Sequence, residues 1–246
     1  MLQHIKKHNP RGSVLATAWH RLAPPIAVGR KYYGVKVFMD LRDCVDDLTK
    51  SRSELESREK SVLSVLSAVD GTIWDVGANI GLFAVRAALL DRRCIAFEQS
   101  EKACRLMERT RQGGRFSFEV VNRALTVDTV CYTPPASAYA GNQLDVLPES
   151  RMESLNYLEA AKVYGVPQLI KMDIEGGEAA FFRSEAFKSW VCQNDVAWLV
   201  ELHTALLGYT PEWDDVPQAP IDSGHVLYAS STKRLEMLTE AVRSLA

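Results

Sequence analysis

The sequence predicts an α/β fold, a doubly wound and mainly parallel sheet with helices on both faces. Short apolar segments rich in β-formers alternate with amphipathic segments of helical period, which is the pattern of βαβ units. A glycine-bearing turn, IWDVGANIG at 73–81, joins the first buried strand of this series to a helix. The 246 residues, 47% hydrophobic and 24% charged, are ordinary for one large globular domain.

The N-terminal part is predicted as an arm over residues 1–53 that carries a strand or hairpin. The segment KYYGVKVFMD at 31–40 supports this prediction, because it is rich in β-formers. A Rossmann-like domain is then predicted over 54–246. Its first helix, at 51–69, has serine and glutamate early, apolar residues at helical spacing later, and Asp70-Gly71 as its end.

From residue 72 onward strands and helices alternate. The apolar β-rich segments predict strands at 72–77, 93–100, 116–125, 167–176, 196–203 and 225–230. The segments of helical period predict helices at 80–91, 100–112, 152–165, 178–191 and 232–246.

Two stretches rich in proline and glycine are predicted as loops, at 133–150 and 208–224. The second is longer than most connections, so we expect either a substrate loop with Trp213 as a pocket wall or a solvated connector with one packed tryptophan.

Charge and cysteine content restrict the functional classes. The net charge of −2 gives no global basic field, so a nucleic-acid partner is not predicted. The cysteines are scattered without a C-x-x-C pair, which predicts reduced thiols rather than disulfides or a zinc site. No apolar run reaches transmembrane length and no secretory signal pattern is present, so we expect a cytoplasmic protein. The sequence leaves the oligomeric state open.

The turn at 73–81 and an acid on the next strand together predict a cofactor that contains adenosine. Gly77 permits positive φ or a close ligand, and Gly81 permits close packing at the start of the helix. Glu98 follows Gly77 by 21 residues at the end of the next strand, where an acid holds ribose hydroxyls in nucleotide-binding folds. Taken singly, the glycines also fit a purely structural turn and Glu98 a solvated acid.

The identity of the cofactor depends on two departures from the dinucleotide fingerprint G-x-G-x-x-G. Asn79 stands where the middle glycine would let the backbone approach a pyrophosphate. Asp75, just before the turn, would repel that pyrophosphate. S-adenosylmethionine suits the turn better, because it combines adenosine with a sulfonium and an amino-acid end and has no phosphate. An NAD-dependent oxidoreductase is therefore disfavoured.

Five motifs occur in order along the chain: DVGANIG, AFEQS, VVNRAL, LIKMDIEGGE and LVELH. With these motifs, residues 54–205 resemble the FkbM-type methyltransferases, which are S-adenosylmethionine-dependent O-methyltransferases of the class I, Rossmann-like fold. The segment MESL departs from the family's LD-x-L element, because Glu153 replaces the aspartate.

The resemblance implies roles for particular residues in cofactor binding. Glu98 would bind the ribose hydroxyls, and Asn122 and Ala124 would lie beside the adenine ring. Asn122 is equally suited to capping its strand. The methionine end would be cradled by Asp75, Gly77, Ala78, Asn79 and Gly81.

Candidates for the general base that takes the acceptor's proton are Asp173, Glu175 and His203. Glu201, together with Asp173 and His203, would also suit a divalent ion, but we assign no metal ligand because the spacing does not require one. Glu178 is expected in the first turn of a helix, where the dipole favours an acid.

The sequence therefore predicts methyl transfer from S-adenosylmethionine to a hydroxyl of a sugar, glycolipid or polyketide-like acceptor, with S-adenosylhomocysteine as product. The alternative is a non-catalytic Rossmann-like protein that binds an adenosine ligand.

Overall fold

The computed structural model describes residues 26–42, 52–128 and 154–244. The predicted loop at 133–150 and residues 1–25 of the predicted arm lie outside the described residues. The first described element is an antiparallel hairpin of β1 (Ala27–Tyr32) and β2 (Val35–Asp40). Tyr33 and Gly34 both have positive φ between these strands, as a tight two-residue hairpin turn requires. The β-rich segment 31–40 thus enters a hairpin, as predicted.

A seven-stranded sheet forms the centre of the fold. Its strands in chain order are β3 (Ile73–Val76), β4 (Cys94–Phe97), β5 (Glu119–Val121), β8 (Leu169–Met172), β9 (Ala197–Glu201), β10 (Gln218–Pro220) and β11 (His225–Tyr228). The spatial order is β10-β11-β9-β8-β3-β4-β5, and only β11 runs antiparallel to both of its neighbours. This order, with one reversed strand beside the edge, confirms the class I methyltransferase-like α/β fold. The chain reverses direction across the sheet between β3 and β8, which makes their carboxyl ends the switch point.

Helices connect these strands and cover both faces of the sheet. They are α1 (Arg52–Ser67), α2 (Leu82–Leu89), α3 (Glu101–Gly114), α4 (Tyr157–Tyr164), α5 (Glu178–Arg183), α6 (Glu185–Gln193), α7 (Thr204–Leu207) and α8 (Thr232–Ser244). Within the described part of the chain, no helix is both long and apolar enough to cross a bilayer.

Two predicted elements differ because polar side chains bind the main chain nearby. The predicted strand 116–125 is broken, since Asn122 donates its amide N–H groups to the carbonyls of Glu98 and Gln99 and ends β5. The chain then forms β6 (Ala124–Thr126), which pairs in parallel with β7 (Ser154–Asn156) in a separate two-stranded sheet. The predicted helix 152–165 therefore begins later than expected, at Tyr157.

Two further boundaries also differ from the prediction. The predicted helix 178–191 is divided, because Ser184 is extended and its hydroxyl accepts the Phe187 N–H as the N-cap of α6. The predicted loop 208–224 contains β10, which pairs with β11 at the sheet edge. Edge pairing of so short a strand leaves little periodic signal in a sequence.

The buried side chains form one cluster on each face of the sheet. The face that carries Trp74 and Trp198 is rich in aromatic rings. Trp213, from the 208–224 segment, packs into this cluster and donates its indole N–H to the Phe182 carbonyl at 2.9 Å. Trp213 is thus a core residue, and a substrate role for the rest of this segment stays a prediction.

A buried carboxylate joins the hairpin to the main domain. Asp40, at the end of β2, accepts charged contacts of 2.9 Å from both Arg42 and Lys102, and Lys102 belongs to α3. Burial alone would raise the pKa of Asp40, but the hydrogen bonds from Arg42 and the charge of Lys102 outweigh burial and hold that pKa well below its usual value.

We expect Asp40→Asn to lower the free energy of unfolding by about 2 kcal/mol at pH 7, the usual size for a buried charge-assisted hydrogen bond. Because the folded pKa is depressed, the stabilisation is present above the ordinary aspartate pKa and is lost as pH falls. Urea unfolding at pH 7 and pH 3 measures this difference. Asp70→Asn is the control, since Asp70 meets Arg92 with a side chain that is 90% exposed. Equal losses for Asp40→Asn at both pH values would contradict the assignment.

Candidate functional site

The turn between β3 and α2 has three residues of positive φ, namely Gly77, Asn79 and Gly81. A Cβ on Gly77 would lie 1.8 Å from the carbonyl oxygen of Asp173, so only glycine lets the ends of β3 and β8 approach this closely. A Cβ on Gly81 would lie 2.7 Å from the Met107 side chain on α3. Both glycines that the sequence singles out are thus required by packing within the protein itself.

Hydrogen bonds inside the protein occupy several backbone donors of this turn. The N–H groups of Gly77 and Ala78 both donate to the Phe97 carbonyl, at 3.0 and 3.1 Å. The Asn79 N–H donates to the Glu98 carboxylate at 2.8 Å. A phosphate cradle needs unpaired N–H groups, so these three donors are not free to bind an anion.

Glu98 lies at the end of β4, as predicted, and links the turn to α3. One carboxylate oxygen accepts the Asn79 N–H and the other accepts the Ser100 N–H at 2.7 Å. Burial raises the pKa of Glu98, although both hydrogen bonds oppose that rise. A carboxylate oxygen has two acceptor sites, so each oxygen keeps one for a further donor such as a ribose hydroxyl.

The two residues expected at the adenine lie at the next strand end. The Asn122 side-chain nitrogen donates to the main chain at the end of β4, at 3.0 and 3.1 Å, which is the capping role. Ala124 begins β6 and therefore belongs to the small second sheet. The direct adenine contact of these two residues stays a prediction.

Asp75 and Lys171 occupy neighbouring positions on β3 and β8. Asp75 is fully buried, and among the described residues its carboxylate oxygens accept no hydrogen bond of good geometry. The Lys171 ammonium is 3.7 Å from Asp75 and 3.6 Å from Asp173. Burial raises the pKa of Asp75 despite the charge of Lys171. Asp75 is thus enclosed in the domain, and its role at the methionine end of a cofactor stays a prediction.

His203 gathers three carboxylates at the ends of β8 and β9. Its Nδ1 lies 3.0 Å from Glu178, and its Nε2 lies 3.5 Å from both Asp173 and Glu175. The structure therefore brings the three predicted base candidates together. Burial disfavours the charged imidazole, but the hydrogen bond to Glu178 and the neighbouring carboxylates raise the pKa of His203 to about 9. These carboxylates favour the imidazolium form of His203, which must lose a proton before it can act as a base.

The structural role of Glu178 is larger than the predicted one, which was a favourable interaction with the dipole at the start of a helix. It is fully buried, and one oxygen accepts the backbone N–H of His203 at 3.0 Å. The other oxygen accepts the Gly176 N–H at 2.8 Å. One carboxylate thereby joins the loop after β8 to the end of β9. The available sequence signal was an acid at the start of the apolar helix EAAFF, where a buried carboxylate needs such partners.

Asp222 and His225 complete the cluster, and neither was predicted from the sequence as a site residue. His225 Nδ1 lies 2.9 Å from Asp222, while its Nε2 lies 3.5 Å from Glu201. Burial and the charge of Asp173 raise the pKa of Glu201. Donor atoms of Asp173, Glu201 and His203 all lie within 4.8 Å of one another. Asp222 and His225 were missed because the pairing of β11 with β9, which brings them here, is not visible in the sequence.

Comparison with known proteins adds little beyond the fold. No protein-family model matches this chain, and no curated protein matches it either. Among solved structures, the tRNA (uracil-54, C5)-methyltransferase of Pyrococcus abyssi, in complex with S-adenosyl-L-homocysteine, is 10% identical with a TM-score of 0.44. That match covers 82% of this chain and 43% of the other.

An S-adenosylmethionine-dependent methyltransferase from Agrobacterium tumefaciens is also similar, with 10% identity and a TM-score of 0.41. The match covers 73% of this chain and 54% of that one, so this chain spans about half the length of either protein. Because the TM-scores are this low, the fold assignment rests on the strand order. The likeness to FkbM-type enzymes remains a resemblance of motifs.

We expect Gly77→Ala to lower the free energy of unfolding by about 3 kcal/mol, because the added Cβ would force β3 and β8 apart. Gly208→Ala is the matched control: Gly208 has a similar φ of +72°, but no atom of the described residues lies within 4 Å of its Cβ position. That control should cost about 1 kcal/mol, the strain of a left-handed alanine. Urea unfolding compares the two variants, and equal losses would show that the contact with Asp173 is unimportant.

Proposed function

We propose that this protein is an S-adenosylmethionine-dependent methyltransferase that acts on a hydroxyl group. The observation that carries the proposal is the β3–α2 turn, whose N–H groups at Gly77, Ala78 and Asn79 are used within the protein while Glu98 lies against it. The turn keeps the carboxylate needed for an adenosine ribose, whereas its N–H groups at Gly77, Ala78 and Asn79 are not free to bind a pyrophosphate. This combination favours a nucleoside cofactor without phosphate over NAD.

Charge supports the same cofactor. Asp75 and Glu98 place two buried carboxylates around the turn, and Lys171 is the neighbouring cation of Asp75. A negative field favours a ligand whose amino-acid end carries an ammonium group and whose sulfur is a sulfonium. We propose that Glu98 binds the ribose hydroxyls through its two remaining acceptor sites and that Asp75 acts through its charge. Bound S-adenosylmethionine would supply an electrophilic methyl group.

The acceptor is proposed to bind beside the end of β8. Gly77 lies against the main chain of Asp173, so the cofactor turn and this carboxylate share one edge of the sheet. The side chains of Asp173 and Glu175 are 30% and 59% exposed, which leaves both accessible to an acceptor. We propose that Asp173 orients the acceptor hydroxyl and takes its proton, with Glu175 and His203 as the neighbouring acid–base groups.

The charge of this edge also bears on the kind of acceptor. Carboxylates of Asp173, Glu175 and Glu201 would repel a phosphodiester, whereas a neutral polyhydroxyl compound brings only donors and acceptors. We therefore propose a sugar, glycolipid headgroup or polyketide-like hydroxyl as the acceptor class.

The cofactor is tested by titration calorimetry with S-adenosylmethionine, S-adenosylhomocysteine and NAD. We expect both sulfur ligands to bind and Glu98→Gln to weaken them about 10- to 100-fold, since one acceptor oxygen becomes an amide that donates. Glu101→Gln is the control, because Glu101 lies on the adjoining helix with its side chain 73% exposed. Circular dichroism checks that both variants are folded. A preference for NAD, or unchanged affinity in a folded Glu98→Gln variant, would contradict the proposal.

Methyl transfer is tested by following labelled methyl groups from S-adenosylmethionine into a panel of sugars, glycolipids, polyketides and RNA. We expect product from a hydroxyl-bearing acceptor, with Asp173→Asn about 10²- to 10⁴-fold slower and S-adenosylhomocysteine affinity retained. Cofactor binding without transfer to any acceptor would favour the non-catalytic binder. Transfer to RNA alone would overturn the proposed acceptor class while leaving the cofactor assignment intact.

A further inference from the structure

The cluster at the ends of β8, β9 and β11 has a geometry that methyl transfer does not require. Each of its two histidines is held by a carboxylate on one ring nitrogen and directs the other nitrogen at a second carboxylate. Glu178 binds His203 Nδ1 at 3.0 Å, and Asp222 binds His225 Nδ1 at 2.9 Å. The carboxylate–histidine arrangement is the one that outer-shell acids impose on metal-binding histidines.

The distance on the other side of the His203 ring fits an ion better than a strong direct bond. His203 Nε2 is 3.5 Å from an Asp173 oxygen. Strong charged hydrogen bonds are shorter, about 2.7–2.9 Å. Two ligand atoms that share a tetrahedral ion with bonds near 2.1 Å lie about 3.4 Å apart. The Nε2 to carboxylate spacing therefore matches the edge of a coordination polyhedron.

Three donor groups lie close together at this edge of the sheet. The donor atoms of Asp173, Glu201 and His203 lie within 4.8 Å of one another, and each side chain is partly open to solvent. Their elements are fixed independently, because β8 and β9 are hydrogen-bonded neighbours and Glu178 anchors His203 to the loop after β8. The set is thus held together by the main chain, and its partial exposure leaves room for a further ligand.

The local charge favours a cation. Lys171 lies between Asp75 and Asp173, so two carboxylates share its single positive charge. His225 is already bound to Asp222 through Nδ1. Glu201 therefore adds negative charge beside Asp173, and a bound divalent ion would neutralise the pair.

We propose that Asp173, Glu201 and His203 bind a divalent first-row transition ion, with Glu178 orienting His203. One imidazole and two carboxylates suit Zn²⁺, Co²⁺ or Mn²⁺ better than Mg²⁺, which prefers oxygen ligands and water. A site with three protein ligands keeps a coordination position open to water or to an acceptor oxygen. The proposal concerns the acceptor edge but does not rest on methyl transfer, since ion binding is measured without cofactor or acceptor.

The test uses the full chain after treatment with a chelator and dialysis. Titration with Co²⁺ should give one ion per chain with visible absorption, and added Zn²⁺ should remove that absorption. Mg²⁺ should bind at least about 10²-fold more weakly than Co²⁺. No bound Co²⁺, or Mg²⁺ binding of equal strength, would overturn the proposal.

Three variants place the ion within the cluster. Glu201→Gln should weaken Co²⁺ binding at least tenfold, and Glu178→Gln should weaken it about 10- to 100-fold through His203. Glu212→Gln, an exposed acid outside the cluster, should bind as the wild type does. Circular dichroism confirms folding. Glu178→Gln also removes a buried contact, which lowers the stability of that variant for reasons unrelated to the ion. A rise of the wild-type thermal midpoint with Zn²⁺ therefore provides a second, independent measurement. Unchanged Co²⁺ affinity in folded Glu201→Gln, or an unchanged wild-type midpoint with Zn²⁺, would overturn the proposal.

Discussion

The contact between Gly77 and the main chain of Asp173 determines how the candidate site is built. Because the two strand ends meet with no space for a Cβ, the β3–α2 turn and the acidic end of β8 form one continuous edge. Asp173 N–H also donates to the Val76 carbonyl at 3.0 Å, which continues the β3–β8 pairing beyond the strands. Glu98 fixes the other side of the turn through Asn79. The proposed ligand-binding and acid–base groups therefore share one edge of the sheet.

Electrostatics separates this edge into two regions with different requirements. Around the turn, Asp75 and Glu98 are buried, so their charges act in a medium of low dielectric and are poorly screened by water and salt. Towards β9, Asp173 and Glu175 are more open, and water screens them better. A cationic cofactor would benefit most from the first region, whereas exchange of the proposed acceptors, products or ions would be easier in the second. In the proposed function, the same excess of acid would therefore serve both parts of the site.

The sequence was sufficient to predict the features encoded locally. Strand and helix alternation predicted the sheet, and the spacing of Gly77 and Glu98 predicted that they would lie together. It was insufficient where a boundary depends on a distant partner: the break at Asn122 arises from carbonyls on β4. His225 was missed for the same reason, since antiparallel pairing of β11 with β9 brings it to Glu201. Periodicity describes which face is buried and carries no information on such pairings.

Both a local interaction and tertiary contacts bear on the position of Glu178. The local one is with the helix dipole, and the tertiary ones are its hydrogen bonds. An acid at the first position of α5 is consistent with a helix dipole, and that favourable term is a few tenths of a kcal/mol to about 1 kcal/mol at an exposed terminus. Complete burial of a carboxylate costs several kcal/mol unless its oxygens are bonded, so the dipole alone cannot retain it. The bonds to Gly176 and His203 supply that compensation. Glu178 is therefore buried in order to hold His203, and the position of His203 in turn organises the acids around it.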